Sequence, residues 1–276
     1  MSPRTHFLSL PRELRDAIYA HVVTYDGGLI YDHASRKLRT KQGPADLALV
    51  YTCKQIAEEM RGLALERNAI AFSTMCTDVD DLRIKAGCFD AVFNTLQEQK
   101  QDLAHSARHL LDPEARTHLS QLHSSLSSLF FSPADTRGWL PWESYTKGVA
   151  HSLRWSFAEH AIRLEAHAAA LADITPGLND EITTSVCHPL PVSWNIPAHH
   201  QIFEMEVIAA SDEDLIDDID DPSRINNSFS AAAVAIAFLS SLQSHTRMYL
   251  RNFILLEDRA GAAFPQSHGE GLILFA

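Results

Sequence analysis

The sequence predicts an α+β protein that is mostly α-helical with a few short strands. Three observations carry this expectation. Apolar residues recur at helical spacing in two N-terminal segments, Leu10 to Val23 and about Ala45 to Leu65. Residues 78–173 carry helix-start signals and spaced apolar positions, with a clear break only at Ser132 to Gly138. Strand character is confined to short runs bounded by turn residues.

In the first segment, Ser9 is a candidate cap for a helix starting at Leu10 or Pro11, where proline's fixed φ and missing N–H cost little. Leu14, Ala17, Ile18, His21 and Val22 then recur on one face, with Arg12, Arg15 and Asp16 on the other. Burying Leu14, Ile18 and Val22 is worth roughly 1.5–3 kcal/mol each, so this reads as a core-forming helix. Asp26-Gly27-Gly28 signals a turn, Leu29 to Tyr31 a short strand, and Leu38 the start of its hairpin partner. Arg36-Lys37-Leu38-Arg39-Thr40-Lys41 is a basic cluster that reads as a solvated loop or edge strand.

The second helix runs from about Ala45, with Leu49, Cys53, Ile56, Ala57, Met60, Leu63 and Ala64 as one stripe packed on the first. Cys53 reads there as inert packing. The run Ala69 to Phe72 reads as a strand.

Helical segments follow from about Asp80 or Gly87 to Leu111, from Asp112-Pro113-Glu114 to near Phe131, and from Trp142 or Glu143 to Ala172. Pro189, Pro191 and Pro197 keep the next stretch irregular, and Gln201 to Ile208 alternates as a strand would. Seven acids in the ten residues from Asp212 to Asp221 make a self-repelling loop. Asn227 or Ser228 can cap a buried helix through Ala231 to Leu239, and Arg251 to Leu256 reads as a strand.

A chain of 276 residues with 46% hydrophobic content can bury a sizeable core. The net charge is −12, and it is uneven: the first 60 residues hold eight Lys or Arg against seven Asp or Glu, which leaves about −13 for the remainder. That acidity disfavours nucleic acid and anionic membrane as partners. Four cysteines without a C-x-x-C pair suit a reduced, intracellular setting, cytoplasmic or nuclear. No apolar signal core follows Met1 to His6, and the longest apolar run, Ala231 to Leu239, is far shorter than the ~20 residues of a membrane-spanning helix.

The stretch Leu10-Pro11-Arg12-Glu13-Leu14-Arg15-Asp16-Ala17-Ile18-Tyr19, then Leu47 to Glu59 with Thr52-Cys53-Lys54-Gln55-Ile56, then Asn68 to Phe72, resembles the F-box-like domains of filamentous fungi. Their pattern is L-P-x-E-L-R-x-x-I-Y, T-C-K-Q-I-x-x-E and N-x-x-x-F. Phe238 to Leu242 and Thr246 to Leu255 are similar to a segment downstream in such proteins, so the resemblance covers roughly residues 6–73 and 228–258. With the segments read above, the chain is expected to divide into an F-box-like domain at residues 1–75, a helical region at 76–210 that the resemblance leaves unassigned, an acidic loop at 211–226 and a helix–strand segment at 227–276 that completes the N-terminal part.

The resemblance further implies a non-enzymatic protein-interaction module, a substrate receptor of a cullin-type ubiquitin ligase that binds a Skp-type adaptor and holds an unknown protein substrate. The adaptor-binding positions it implies are Leu10, Pro11, Leu14, Ile18, Leu49, Cys53 and Ile56. Thr24 to Pro44 is longer than the linker of an ordinary F-box, and an inserted hairpin there would alter that face. An F-box-like fold whose leucines only complete its own core is the plainer alternative.

No G-x-S-x-G, P-loop, G-x-G-x-x-G or H-E-x-x-H pattern occurs, so neither a catalytic residue nor a cofactor is expected. His105 and His109 stand four apart, with His118 and His123 nearby, a metal-ligand spacing. Among fifteen histidines such a pair arises by chance, and no metal is expected. The remaining alternative is an enzyme or small-molecule binder with a pocket in the helical region.

Overall fold

The computed structural model describes residues 6–75, 85–96, 117, 121, 192–198, 200–202, 204–205, 227–265, 268–273 and 275. Two compact units divide the chain, one formed by Met1–Asp78, Ser228–Gly261 and His268–Ala276, the other by Val79–Asn227 and Ala262–Ser267.

In the first unit a 3-10 turn, Phe7–Ser9, precedes helix α1, Arg12–Val23. Three strands follow, β1 Leu29–Asp32, β2 Lys37–Thr40 and β3 Gly43–Pro44. A second 3-10 turn, Ala48–Tyr51, leads to α2, Lys54–Glu59, and α3, Leu63–Arg67, and then β4, Ala69–Ser73. In the second unit, residues 85–96 form α4. The first unit resumes with α5 Ala231–Ser241, α6 Ser244–Arg247, β5 Asn252–Leu256 and α7 His268–Ile273.

Five strands join in one mixed sheet ordered β3-β2-β1-β4-β5. The hairpin strands pair antiparallel, Ile30 opposite Arg39 and Thr40 opposite Gly43. β4 runs parallel to both neighbours, with Leu29 opposite Ile70 and Ala71 opposite Ile254. The protein is therefore α/β, which corrects the expectation of a mostly helical fold with a few short strands. Each strand has only two to five residues, too few to give a periodic signal that competes with the helices. Their union in one sheet depends on pairing between β4 and a β5 far away in sequence, which no local pattern encodes.

Helix α5 covers the sheet. It is apolar nearly all round, as suits a helix buried on most sides. Phe238 on α5, Tyr31 on β1, Phe72 on β4 and Phe253 on β5 form a cluster with ring centroids 4.8–6.0 Å apart. Ser230, not Asn227 or Ser228, caps α5: its Oγ accepts from the Ala233 amide at 3.0 Å. The Glu257 carboxylate accepts from the next two free amides, Ala231 and Ala232.

Gly28 immediately precedes β1 at φ +71°, where a Cβ would strike the Ala69 carbonyl. Buried Asn68 ties two helix ends together. Its Nδ2 donates to Val23 and Ala64 carbonyls at 2.6 and 2.7 Å, and its Oδ1 accepts from the Tyr25 amide at 2.8 Å.

Three expectations for the N-terminal helices are corrected. Pro11 is the N-cap rather than the first helical residue, and the Ser9 hydroxyl donates to the His6 carbonyl instead of capping α1. The single helix expected from Ala45 is broken twice, at Cys53, whose backbone is extended, and at Gly62, which lies at φ +73°. Most consequentially, α1 buries Arg15, Tyr19 and Val23 and leaves Leu14, Ala17, Ile18 and His21 exposed. The inward stripe is thus rotated by about one residue from the aliphatic one. Tyr19, Val23, Ile56 and Met60 form the centre of this core, with Phe7, Leu8, Val22, Leu49, Val50, Leu63 and Ala64 around them.

In the second unit, α4 buries Phe89, Val92, Phe93 and Leu96. The Asp90 carboxylate accepts from Asn227 Nδ2 and from the Ala263 amide. The strand expected at Gln201 to Ile208 is corrected too: residues 200–202, 204 and 205 are helical, with Ile202 and Met205 buried one turn apart. Of the helices expected from Asp112 to Ala172 only Thr117 and Gln121, both helical, are among the described residues, and the acidic run at 212–221 lies outside them.

Candidate protein-interaction surface

The surface is built on the inner side of α1. Arg15 and Tyr19 stand one turn apart and meet Glu59 at the end of α2. Arg15 Nε donates to Glu59 Oε2 at 3.0 Å and Nη2 to Oε1 at 2.7 Å, a two-pronged ion pair. The Tyr19 hydroxyl donates to Oε2 at 2.7 Å and Gln55 Nε2 to Oε1 at 2.9 Å. The remaining Arg15 donor, Nη1, reaches the carbonyls of Leu10 at 2.6 Å and Leu8 at 3.3 Å. This arginine therefore fixes the path of the chain through Leu10 and Pro11 as well as the angle between α1 and α2.

Charge and burial act together here. The Arg15 guanidinium, then Gln55 and Tyr19, hold the Glu59 carboxyl well below the usual carboxylate range, at about 2. Burial, reinforced by Glu59, raises the Tyr19 phenol, and the hydrogen bond to Glu59 raises Arg15. Glu59 is ionised and Tyr19 neutral at neutral pH, so the network is a locked donor–acceptor set rather than a proton-transfer site.

With Arg15 and Tyr19 turned inward, the adjoining stripe of α1 faces solvent. Leu14 is 53% exposed and Ile18 38%. Pro11 is exposed at the helix start, with Leu10 half-buried beside it. The other predicted positions divide. Leu49 is half-buried against the core, Ile56 is buried within it, and Cys53 is exposed at the N-cap of α2, correcting its reading as packing on an apolar face. The seven residues thus do not form one face. Pro11, Leu14 and Ile18 share the accessible side of α1, while Leu49 and Ile56 support it from the core.

Sequence reasoning missed Arg15, Tyr19, Gln55 and Glu59 as a unit. The available signal was spacing: Arg15 to Tyr19 and Gln55 to Glu59 are both i, i+4 pairs inside the two motif segments.

Among the described residues no group of three or more His, Cys, Asp or Glu is placed to hold a metal, and no helix is long and apolar enough to cross a membrane. His105, His109, His118 and His123 lie outside the described residues. A serine–histidine contact does occur: Ser230 Oγ lies 2.6 Å from His268 Nδ1. Both residues are sealed from solvent, and the hydroxyl already serves as a helix cap. That pair joins α7 to α5.

Comparison of the chain with protein-family models, curated proteins and solved structures finds no match.

Proposed function

We propose that this chain is a protein-interaction module whose docking surface is the exposed stripe of α1, Pro11, Leu14 and Ile18, and whose partner is a Skp-type adaptor of a cullin-type ubiquitin ligase. The observation that carries the reading is the outward turn of Leu14 and Ile18 on a helix that buries an arginine instead. An aliphatic pair left in water while a charged side chain is taken inside suits a surface that is covered by a partner. The partner class comes from the resemblance of Leu10 to Tyr19 and Thr52 to Glu59 to fungal F-box-like segments. In this reading the Arg15–Glu59 pair holds the docking helix at a set angle and needs no contact with the adaptor.

The test is retention of a purified Skp-type adaptor on the immobilised full chain. Wild type should retain it, and Leu14→Ala with Ile18→Ala should lose it while keeping the same circular dichroism and melting temperature. An adaptor that never binds, or binds the double variant equally, removes this reading.

A further inference from the structure

The two edges of the sheet are built differently. At one edge β3 has two residues, one of them Pro44, and is flanked by Lys41, features that blunt an edge against further pairing. At the other, β5 carries Asn-Phe-Ile-Leu-Leu without a proline, glycine or charge. Every one of its residues is exposed, Phe253 at 39%, Ile254 at 43%, Leu255 at 37% and Leu256 at 50%. Among the described residues no strand lies on its outer side.

The direction of its backbone groups follows from one bond. The Leu256 carbonyl accepts from the Thr74 amide, so Leu256 faces β4 with its backbone, as do Ile254 and Asn252 by alternation. Phe253 and Leu255, with Arg251 and Glu257 beyond them, direct their N–H and C=O outward. A strand adding antiparallel must place outward groups against outward groups. For a second copy of β5, this permits only registers in which odd-numbered residues face odd-numbered residues.

We propose that two copies of this chain pair through β5, antiparallel, about a two-fold axis at Ile254. In that register Phe253 faces Leu255 of the second copy in a hydrogen-bonded pair, Ile254 faces Ile254, and Arg251 faces Glu257. Moving the axis to Leu255 sets Phe253 against Glu257 and Arg251 against Arg259, and moving it to Phe253 sets Arg251 against Leu255. Only the Ile254 axis matches apolar to apolar at the centre and opposite charges at both ends. Arg251 and Glu257 then lie on the same sheet face, the one where Phe253 packs on Phe72 and Glu257 reaches α5. Glu257 is held in place by the Ala231 and Ala232 amides, and its two oxygens keep acceptor sites for an arginine. The self-complementary sequence selects a second copy over an unrelated extended strand.

The experiment is sedimentation velocity on the full chain over a concentration series. A five-residue ladder makes a weak interface, so the mass should climb from one chain towards two as concentration rises. Leu255→Pro removes an outward N–H and leaves the β4 ladder whole, and it should hold the protein at one chain throughout with unchanged circular dichroism. Arg251→Glu, at an exposed position, should do the same by setting like charges at both ends. The proposal is overturned by a wild type that stays monomeric at every concentration, whether or not it captures a foreign strand. A dimer that persists in a folded Arg251→Glu or Leu255→Pro variant also overturns it.

Discussion

Arg15 and Glu59, 44 residues apart, close a two-pronged ion pair at 3.0 and 2.7 Å that joins α1 to α2 and turns Leu14 outward. The pair decides which stripe of α1 the core receives. Both its charges are satisfied, Arg15 by Glu59 and two carbonyls, Glu59 by Arg15, Tyr19 and Gln55. A buried charge survives only with such company.

Acid should release this joint. The Glu59 carboxyl is lowered in the folded chain to about 2, below the ~4.3 of a free glutamate. Its contribution to stability is therefore present above the unfolded value and lost as pH falls from about 4.3 towards 2. Melting temperature followed across that window should fall for wild type. Glu59→Gln should melt lower at neutral pH and show a shallower acid dependence, and an equal slope in both proteins would refute the assignment.

Gly62 should not tolerate a side chain. It sits at φ +73°, and an added Cβ would run into the Tyr249 ring. The left-handed backbone alone costs an L-residue about 1–2 kcal/mol. Gly62→Ala should destabilise by at least that amount in urea unfolding, and adding Tyr249→Ala should recover the steric share but not the backbone share.

Ser230 performs two tasks, capping α5 and meeting His268 on α7. Loss of a cap costs about 1 kcal/mol, and a buried partner left unmet about 1–3 kcal/mol. Ser230→Ala should therefore lower unfolding free energy by roughly 2 kcal/mol or more. Amide exchange in α7 should quicken; unaltered exchange there would leave Ser230 as a cap alone.

Leu14 and Ile18 should be nearly silent in stability. Exposed positions of this kind usually change unfolding free energy by under about 1 kcal/mol. Phe72→Ala, at a fully buried ring of the sheet cluster, should cost about 3–5 kcal/mol. If Leu14→Ala and Ile18→Ala match Phe72→Ala in denaturant unfolding, the outward orientation of the stripe is wrong.

The sequence by itself determined where α1 lies, the short strands near Leu29, Leu38, Ala69 and Arg251, each within a residue of its place in the fold, and the buried helix from Ala231. In each, adjacent residues carry the signal: an apolar run, a glycine turn, a proline at a helix start. It also placed Leu10, Pro11, Leu14 and Ile18 on a segment worth testing as an interaction surface. Only the tertiary structure decided which stripe of α1 is inside. Aliphatic periodicity favoured Leu14 and Ile18, but a stripe of Arg15, Tyr19 and Val23 can be buried once Glu59 arrives from another helix to satisfy the charge. The same holds for the sheet. β4 and β5 are each five residues long, and their pairing stabilises only when chain ends far apart in sequence meet, which no local spacing records.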